Sequence, residues 1–249
     1  MSQRAPPPRP EPHRMAEPHP LDRPVWHALA GPQADVALGD ERAKRYRPEM
    51  AMFAAAARKS PAAMTALAEL VAARGVAATV EAEIWPPIAG TRVLSHAVIV
   101  QMSAEALTPP EASEDRPADY EIIPLGDADA PEMLALATLT QPGPFFAHTH
   151  RLGSFVGVRQ NGKLAAMAGE RMKLAGFTAV SGVCTHPDHR AKGYGEALSR
   201  LVTSRIIERG ETPFLHAYAH NEGAIDLYRR MGFTHRARMQ MNVLGPAGR

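Results

Sequence analysis

The segment Val183-Cys184-Thr185-His186-Pro187-Asp188-His189-Arg190-Ala191-Lys192-Gly193-Tyr194-Gly195-Glu196 is where the sequence is chemically most specific. It joins an apolar run to an amphipathic one, which reads as the end of a strand and the start of a helix. Gly193 and Gly195 let a ligand approach the main chain closely. The N–H groups of a helix's first turn have no partner inside the helix, and the helix dipole adds partial positive charge there. Arg190 and Lys192 contribute full charges. Together these features describe an anion site suited to a pyrophosphate. Two better-known nucleotide loops do not fit. There is no Gly-x-x-x-x-Gly-Lys-Ser/Thr, and position 198 is Leu198 where a dinucleotide fingerprint needs its third glycine. For this segment alone, a strand-to-helix turn with no ligand is the plain alternative.

A second constellation lies downstream: Asn221-x-x-Ala224-x-x-Leu227-Tyr228, then Met231-Gly232-Phe233. Asn221 suits a helix N-cap, a role compatible with ligand contact. Tyr228 shares a helical face with Ala224, Ile225 and Met231, so it reads either as a core aromatic or as one with a working polar tip.

In this order, with a strand between them, the two constellations resemble the GCN5-related N-acetyltransferases. Arg190-x-x-Gly193-x-Gly195 is similar to that family's coenzyme A pyrophosphate motif. The stretch from Phe155 through Met167-Ala168-Gly169-Glu170-Arg171 to Gly232-Phe233 is similar to its FR47-like subgroup. The resemblance covers roughly residues 119–244. It implies a mixed α/β sheet of the GNAT fold that holds acetyl-CoA between two splayed strands. It also implies direct transfer of the acetyl group to a primary amine, without a metal. On that reading the backbone of Val183, Cys184 and Thr185 pairs with the pantetheine arm, and the N–H of Val183 polarises the thioester carbonyl. The N–H groups of Ala191, Lys192, Gly193, Tyr194, Gly195 and Glu196 hold the pyrophosphate, helped by the charge of Arg190. Asn221 touches the pantetheine arm and Tyr228 sits near the thioester sulfur.

Direct attack by an amine needs positioning, a proton acceptor and a way to protonate or stabilise the leaving thiolate. His216, on the strand before Asn221, takes a place where some family members carry a Glu base, and its ordinary pKa is near neutrality. Glu170 is the alternative base. Each also has a bland reading, His216 as a hydrogen-bonded histidine lining the cleft and Glu170 as a solvated or salt-bridged carboxylate. Cys184 reads as buried packing rather than a nucleophile. His148, His150, His186 and His189 match no standard metal spacing. The rival function class is a non-catalytic acyl-CoA-binding regulatory module; a longer-chain acyltransferase is a third. The amine acceptor is unidentified.

The elements that must position these residues are partly legible. Ser60-Pro61 starts a helix that Gly75 ends. The Ala-rich stretch Pro48–Lys59 is also expected to be helical. Strands are expected at Val76–Trp85, Arg92–Met102, Tyr120–Ile123, Gly153–Arg159, Lys163–Arg171, Phe177–Thr185, Phe214–Tyr218 and Phe233–Val243, with Asn161-Gly162 closing a hairpin. Helices are expected near Ala130–Leu139, over Arg190–Glu208 and after Asn221. Residues 1–24 are rich in Pro, Arg and His and read as a disordered tail, with Met15 as an alternative start. Residues 103–118 read as an acidic, Pro-containing linker between an N-terminal α/β domain at 25–102 and a GNAT domain at 119–244. The first half is expected to be a diverged GNAT-like unit that completes the acceptor site or forms a homodimer surface.

Bulk properties narrow the class further. The 249 residues are 45% hydrophobic and 22% charged, ordinary values for a globular protein with a core. A net charge of +2 gives no basis for nucleic-acid binding. One cysteine forbids an intrachain disulfide. No apolar run is long enough for a bilayer and no signal-peptide pattern opens the chain, so a cytoplasmic, non-membrane setting is the expectation.

Overall fold

The computed structural model describes residues 19–110 and 120–248. Most of the expected tail and residues 111–118 of the expected linker lie outside the described residues. Its elements in chain order are α1 (Pro24–Leu29), β1 (Ala37–Gly39), β2 (Ala43–Tyr46), β3 (Ala54–Ala56), α2 (Pro61–Arg74), β4 (Ala77–Glu81), β5 (Thr91–Ser103), β6 (Ile122–Leu125), α3 (Ala130–Thr140), β7 (Phe155–Gln160), β8 (Lys163–Leu174), β9 (Phe177–Thr185), α4 (Tyr194–Glu208), β10 (Thr212–Tyr218), α5 (Glu222–Arg230) and β11 (Thr234–Pro246).

One mixed sheet dominates, with strand order β4-β11-β5-β10-β9-β8-β7-β6. Every neighbouring pair is antiparallel except β9 and β10, which run parallel. The helices α4 and α5 cover one face, where Leu198, Val202, Ile206, Ile225 and Tyr228 pack on Val156, Ala166, Val180 and Leu215. On the opposite face, α1 and the β2–β3 segment bury Val25, Leu29, Tyr46 and Phe53 against Ile99, Met172, Phe214 and Met239. The helix α3 adds Met133 and Leu136 over Phe155, Met167 and Cys184.

Local signals explain several boundaries. Ser60 caps α2 by accepting the Ala63 N–H, Pro61 fills the first turn, and Gly75 leaves the helix at φ 79°. Asn161 and Gly162 adopt φ 51° and 78°, the left-handed pair that a two-residue hairpin between β7 and β8 requires.

Four expectations are corrected. Residues 20–24, placed in the tail, are built into the fold: Leu21 is 1% exposed and Pro24 opens α1. The stretch Pro48–Lys59 is not a helix; Ala54–Ala56 form strand β3, paired with β2 and packed against both α1 and α2. All three alanines are buried, and close packing on both faces overrides their helix propensity. The helix expected from Arg190 begins at Tyr194, because Ala191 and Gly193 take positive φ values and Gly193 becomes the N-cap.

The fourth correction concerns the division at 103–118. Strand β5, from the first half, lies between β10 and β11 of the second, with Phe214–Tyr218 opposite Ser103–Ile99 on one side and Thr234–Pro246 along the other. Strand β4 then pairs with β11. Both halves therefore build the eight-stranded sheet and the clusters on its two faces, while β1, β2 and β3 of the first half form a smaller sheet of their own. Ala104 is buried, and the main chain of Ala106 and Thr108 lies against Gly232, so the start of the expected linker is packed rather than free.

Candidate active site

The parallel pairing of β9 with β10 covers only Thr212↔Phe177, Pro213↔Thr178 and Phe214↔Ala179. Beyond Ala179 and Phe214 the strands part. A cleft of about 140 Å³ opens on the line of separation, and a smaller one of about 60 Å³ adjoins it. Both are lined by Val183, His216, Tyr228 and Arg171, and Asn221 and Ala224 border the larger. The structure thus brings together Val183, His216, Asn221 and Tyr228, which the sequence scattered over 46 positions.

Two β-bulges shape this cleft. Between Met167↔Cys184 and Gly169↔Ser181, residues Gly182 and Val183 face Ala168 alone. Gly182 makes the turn at φ 65°, and a Cβ there would stand 2.8 Å from the Phe155 ring. Between Glu170↔Val180 and Lys173↔Thr178, residues Arg171 and Met172 face Ala179 alone. A bulge takes a residue out of the ladder and re-aims its side chain. The first places Val183 at the cleft with its main chain out of register; the second turns Arg171 and Met172 toward it.

The loop after β9 leads to the N-terminus of α4. The N–H groups of Ala191, Lys192, Gly193, Tyr194 and Gly195 have no acceptor among the described residues, and the first helical bond is Ala197 N–H to Gly193 O. Five consecutive unpaired donors at the positive end of a 15-residue helix make a strong anion site. Arg190 and Lys192 are exposed beside it. A Cβ on Gly195 would meet only ordinary contacts, 3.5 Å from Thr185 Oγ1. Glu196 is held by Arg200 at 2.7 Å. These features fit the pyrophosphate site expected of this segment.

Asn221 caps α5, accepting the Ala224 N–H at 3.2 Å. Tyr228 is 8% exposed and packs edge-on against Phe233. Its hydroxyl has no partner among the described residues, and burial pushes its pKa up to about 12. It is a neutral donor at the cleft wall. Cys184 faces away, into the cluster under α3, and burial raises its thiol to about 11. Its contribution to a site is its backbone alone.

The two candidate bases fare differently from expectation. Glu170 does not line the cleft. It is 1% exposed and ion-paired to Lys173 and Arg209, each at 2.9 Å. His216 does line the cleft, but burial, with Arg171 and Arg236 nearby, pushes its pKa down to about 3. Its tautomer follows from a chain of contacts. Arg236 donates to Gln101 Oε1 at 2.8 Å and pairs with Asp22 at 2.6 Å. Gln101 Nε2 therefore donates, to Leu21 O and to His216 Nε2 at 3.0 Å. His216 Nε2 is an acceptor already in use and its proton sits on Nδ1. That arrangement suits a fixed, neutral donor better than a proton acceptor.

Arg171, Gln101, Arg236 and Phe53 had no assigned role in the sequence. Phe53, Val80 and Ile99, all from the first half of the chain, line the same cleft. The parity of a strand could have separated Glu170 from Arg171, but only the sheet order shows which face holds the cleft. The histidines are engaged locally, His150 with Asp127 at 2.7 Å and His186 with Asp188 at 3.7 Å. Among the described residues, no three His, Cys, Asp or Glu side chains gather to hold a metal, and no helix is long and apolar enough to cross a membrane.

Known proteins show the same architecture. The FR47-like protein family matches residues 155–241, which span both bulges, the anion loop and α5. No curated protein matches the chain. A GCN5-related N-acetyltransferase from Kribbella flavida superposes with a TM-score of 0.60 over 90% of this chain and 93% of its own, at 20% identity, a likeness of fold. A protein from Novosphingobium aromaticivorans, assigned to the GNAT family, is 41% identical, with a TM-score of 0.81 over 93% of this chain and 100% of its own. Since that likeness covers 93% of the chain and so includes strands of its first half, this chain, with its splayed strands and anion loop, belongs to the GNAT family of acetyltransferases.

Proposed function

We propose that this protein transfers the acetyl group of acetyl-CoA to a primary amine by direct attack, with both substrates bound at once. The observation that carries the reading is the alignment of two features. The unpaired N–H row at Ala191–Gly195 lies at one end of β9, and the gap between β9 and β10 runs from it toward Tyr228. A pyrophosphate held at the row lets the pantetheine arm extend along Val183–Thr185, which reproduces the missing strand pairing with its amides. Asn221 borders that path.

The residues present perform three tasks. Binding across a fixed cleft converts a two-body encounter into attack within one complex. An N–H at the Gly182–Val183 bulge, outside the regular ladder, stabilises the developing oxyanion. Tyr228 donates a hydrogen bond to the departing thiolate. The amine proton passes to solvent, since His216 is a poor acceptor in its present setting. His216 instead offers its Nδ1–H to the cleft.

The acceptor, of small-molecule or peptide type, enters from the side lined by Phe53 and Ile99. The test is release of free thiol from acetyl-CoA in the presence of a panel of amines, with acetyl-CoA affinity measured by calorimetry. Turnover that needs both substrates supports transfer. Tight acetyl-CoA binding without turnover on any amine would identify a regulatory acyl-CoA-binding module instead.

A further inference from the structure

Arg171 is a part-buried cation whose guanidinium is less fully partnered than those of Arg236, Arg23 and Arg45. Arg236 is paired with Asp22 and Arg23 with Glu81, and the buried Arg45, which has no carboxylate, donates through all three guanidinium nitrogens to the carbonyls of Tyr46, Gly75 and Val76. Arg171 has no carboxylate partner among the described residues. Its Nη1 donates to Pro144 O at 2.6 Å, its guanidinium lies 5.1 Å over the Phe53 ring, and its Nε is buried with no hydrogen-bond partner. Four of its five N–H donors thus have no acceptor among the described residues. Burial lowers its pKa only to about 10, so it stays charged at neutral pH.

A part-buried cation with neither a counter-ion nor a full set of carbonyl acceptors is costly, and natural proteins rarely keep one idle. The bulge in β8 aims Arg171 into the cleft, where both pockets include it. The pyrophosphate has its own site at the N-terminus of α4, on the far side of Val183. Arg171 is thus left to the part of the cleft that Phe53 and Ile99 also line.

Resting on the acetyl-transfer reading above, we propose that the acceptor is an amino acid whose carboxylate docks on Arg171. A carboxylate accepts two parallel N–H bonds from a guanidinium, which fixes orientation as well as charge. Anchored in this way, the amino group is held at a set distance from Arg171, next to Val183 and Tyr228. The rest of the wall is Phe53, Val80, Ile99, Met172 and Met241, which suits an apolar side chain. A carboxylate on the acyl chain is the other possible source of the same chemistry, and the test separates the two.

Leucine, methionine and phenylalanine, and the primary amide of each, are titrated by calorimetry into the full chain saturated with coenzyme A. The expected result is binding of at least one acid, at least ~10-fold tighter than its amide. In Arg171→Met that gap falls below twofold while coenzyme A affinity is unchanged, and Arg171→Lys restores part of it, because charge without the fork is a poorer match. Equal affinity for acid and amide in the wild-type protein, no binding of any of the three acids, or an undiminished gap in Arg171→Met overturns the proposal. In a second arm, succinyl-CoA and acetyl-CoA are compared. Equal affinities in both forms are expected, and an Arg171-dependent preference for succinyl-CoA would move the guanidinium's role to the acyl chain and overturn the acceptor assignment. Binding is read without turnover, so amino acids that bind but are never acetylated count against the transferase reading alone.

Discussion

Tyr228→Phe isolates one oxygen atom. The ring stays, so the packing on Phe233 and on the face of α5 is kept. The hydroxyl has no partner to abandon among the described residues, so the melting temperature should hold. Its chemical role can be bounded from its acidity. With a pKa near 12, the phenol is roughly 3.5 units weaker as an acid than an ordinary thiol at ~8.5. Full proton transfer to the departing thiolate would then be uphill by roughly 5 kcal/mol. A hydrogen bond to the developing charge needs no such transfer and contributes about 1.5–3 kcal/mol. Losing it should lower kcat about 10- to 150-fold, with acetyl-CoA affinity little changed. The assay is steady-state thiol release with the best amine of the panel, alongside calorimetry and thermal unfolding. A second readout follows from linkage. A raised folded-state pKa stabilises the protein fully below pH 10, and that contribution disappears as pH climbs toward 12. The alkaline loss should be shallower in Tyr228→Phe. Wild-type turnover in a folded variant would refute the assignment and leave Tyr228 as a packing residue.

Gly193→Asp places a carboxylate among the free amides of α4, and its φ of 73° adds backbone strain of about 1 kcal/mol. Acetyl-CoA affinity should fall at least ~100-fold by calorimetry while the fold persists; unchanged affinity removes the anion site. His216→Gln keeps a polar group in the cleft and should cost kcat less than ~10-fold, a smaller loss than removing a true general base; a loss above ~1,000-fold would restore His216 as the base. The depressed histidine pKa makes its stabilising effect complete above pH 6.5 and lost as pH falls toward 3. Acid unfolding followed by circular dichroism should therefore begin at lower pH in His216→Gln. Glu170→Ala breaks buried ion pairs, but Lys173 and Arg209 remain partly in water, so stability should drop by about 1–2 kcal/mol in urea titration. Its kcat should stay within twofold, and a large drop would show that Glu170 reaches the chemistry.

The second half of the chain was readable because its signals are local. Asn161-Gly162 specifies a turn through its own backbone preferences, and Arg190-x-x-Gly193-x-Gly195 specifies a donor-rich loop through spacing alone. The family resemblance added the pair of splayed strands beside that loop. What stayed hidden is set by pairing between distant segments. Nothing within Thr91–Ser103 says that it lies between β10 and β11. Nothing within Pro48–Lys59 says that its alanines will be enclosed on both faces. The roles of Glu170 and Arg171 turn on a one-residue bulge, which carries no composition signal. His216 read as a base by its ordinary pKa, and it is Gln101, 115 residues away, that fixes which nitrogen holds the proton.

The position of β5 has a bearing on how the chain is made. As synthesis proceeds from the N-terminus, this 13-residue strand leaves the ribosome more than a hundred residues ahead of both strands that flank it. Until they arrive, its backbone donors and acceptors on both sides are unpaired and open to other chains. Contacts of such long sequence separation fold slowly, since loop closure must precede them. Three residues on the outer part of β5, Arg92, Ser95 and His96, flank Val93-Leu94 and separate that pair from Ala97–Val100. Polar breaks of this kind limit the length of any sticky segment during the wait. The strand that completes the acetyltransferase sheet is thus also the one most in need of shelter before the last third of the protein has been translated.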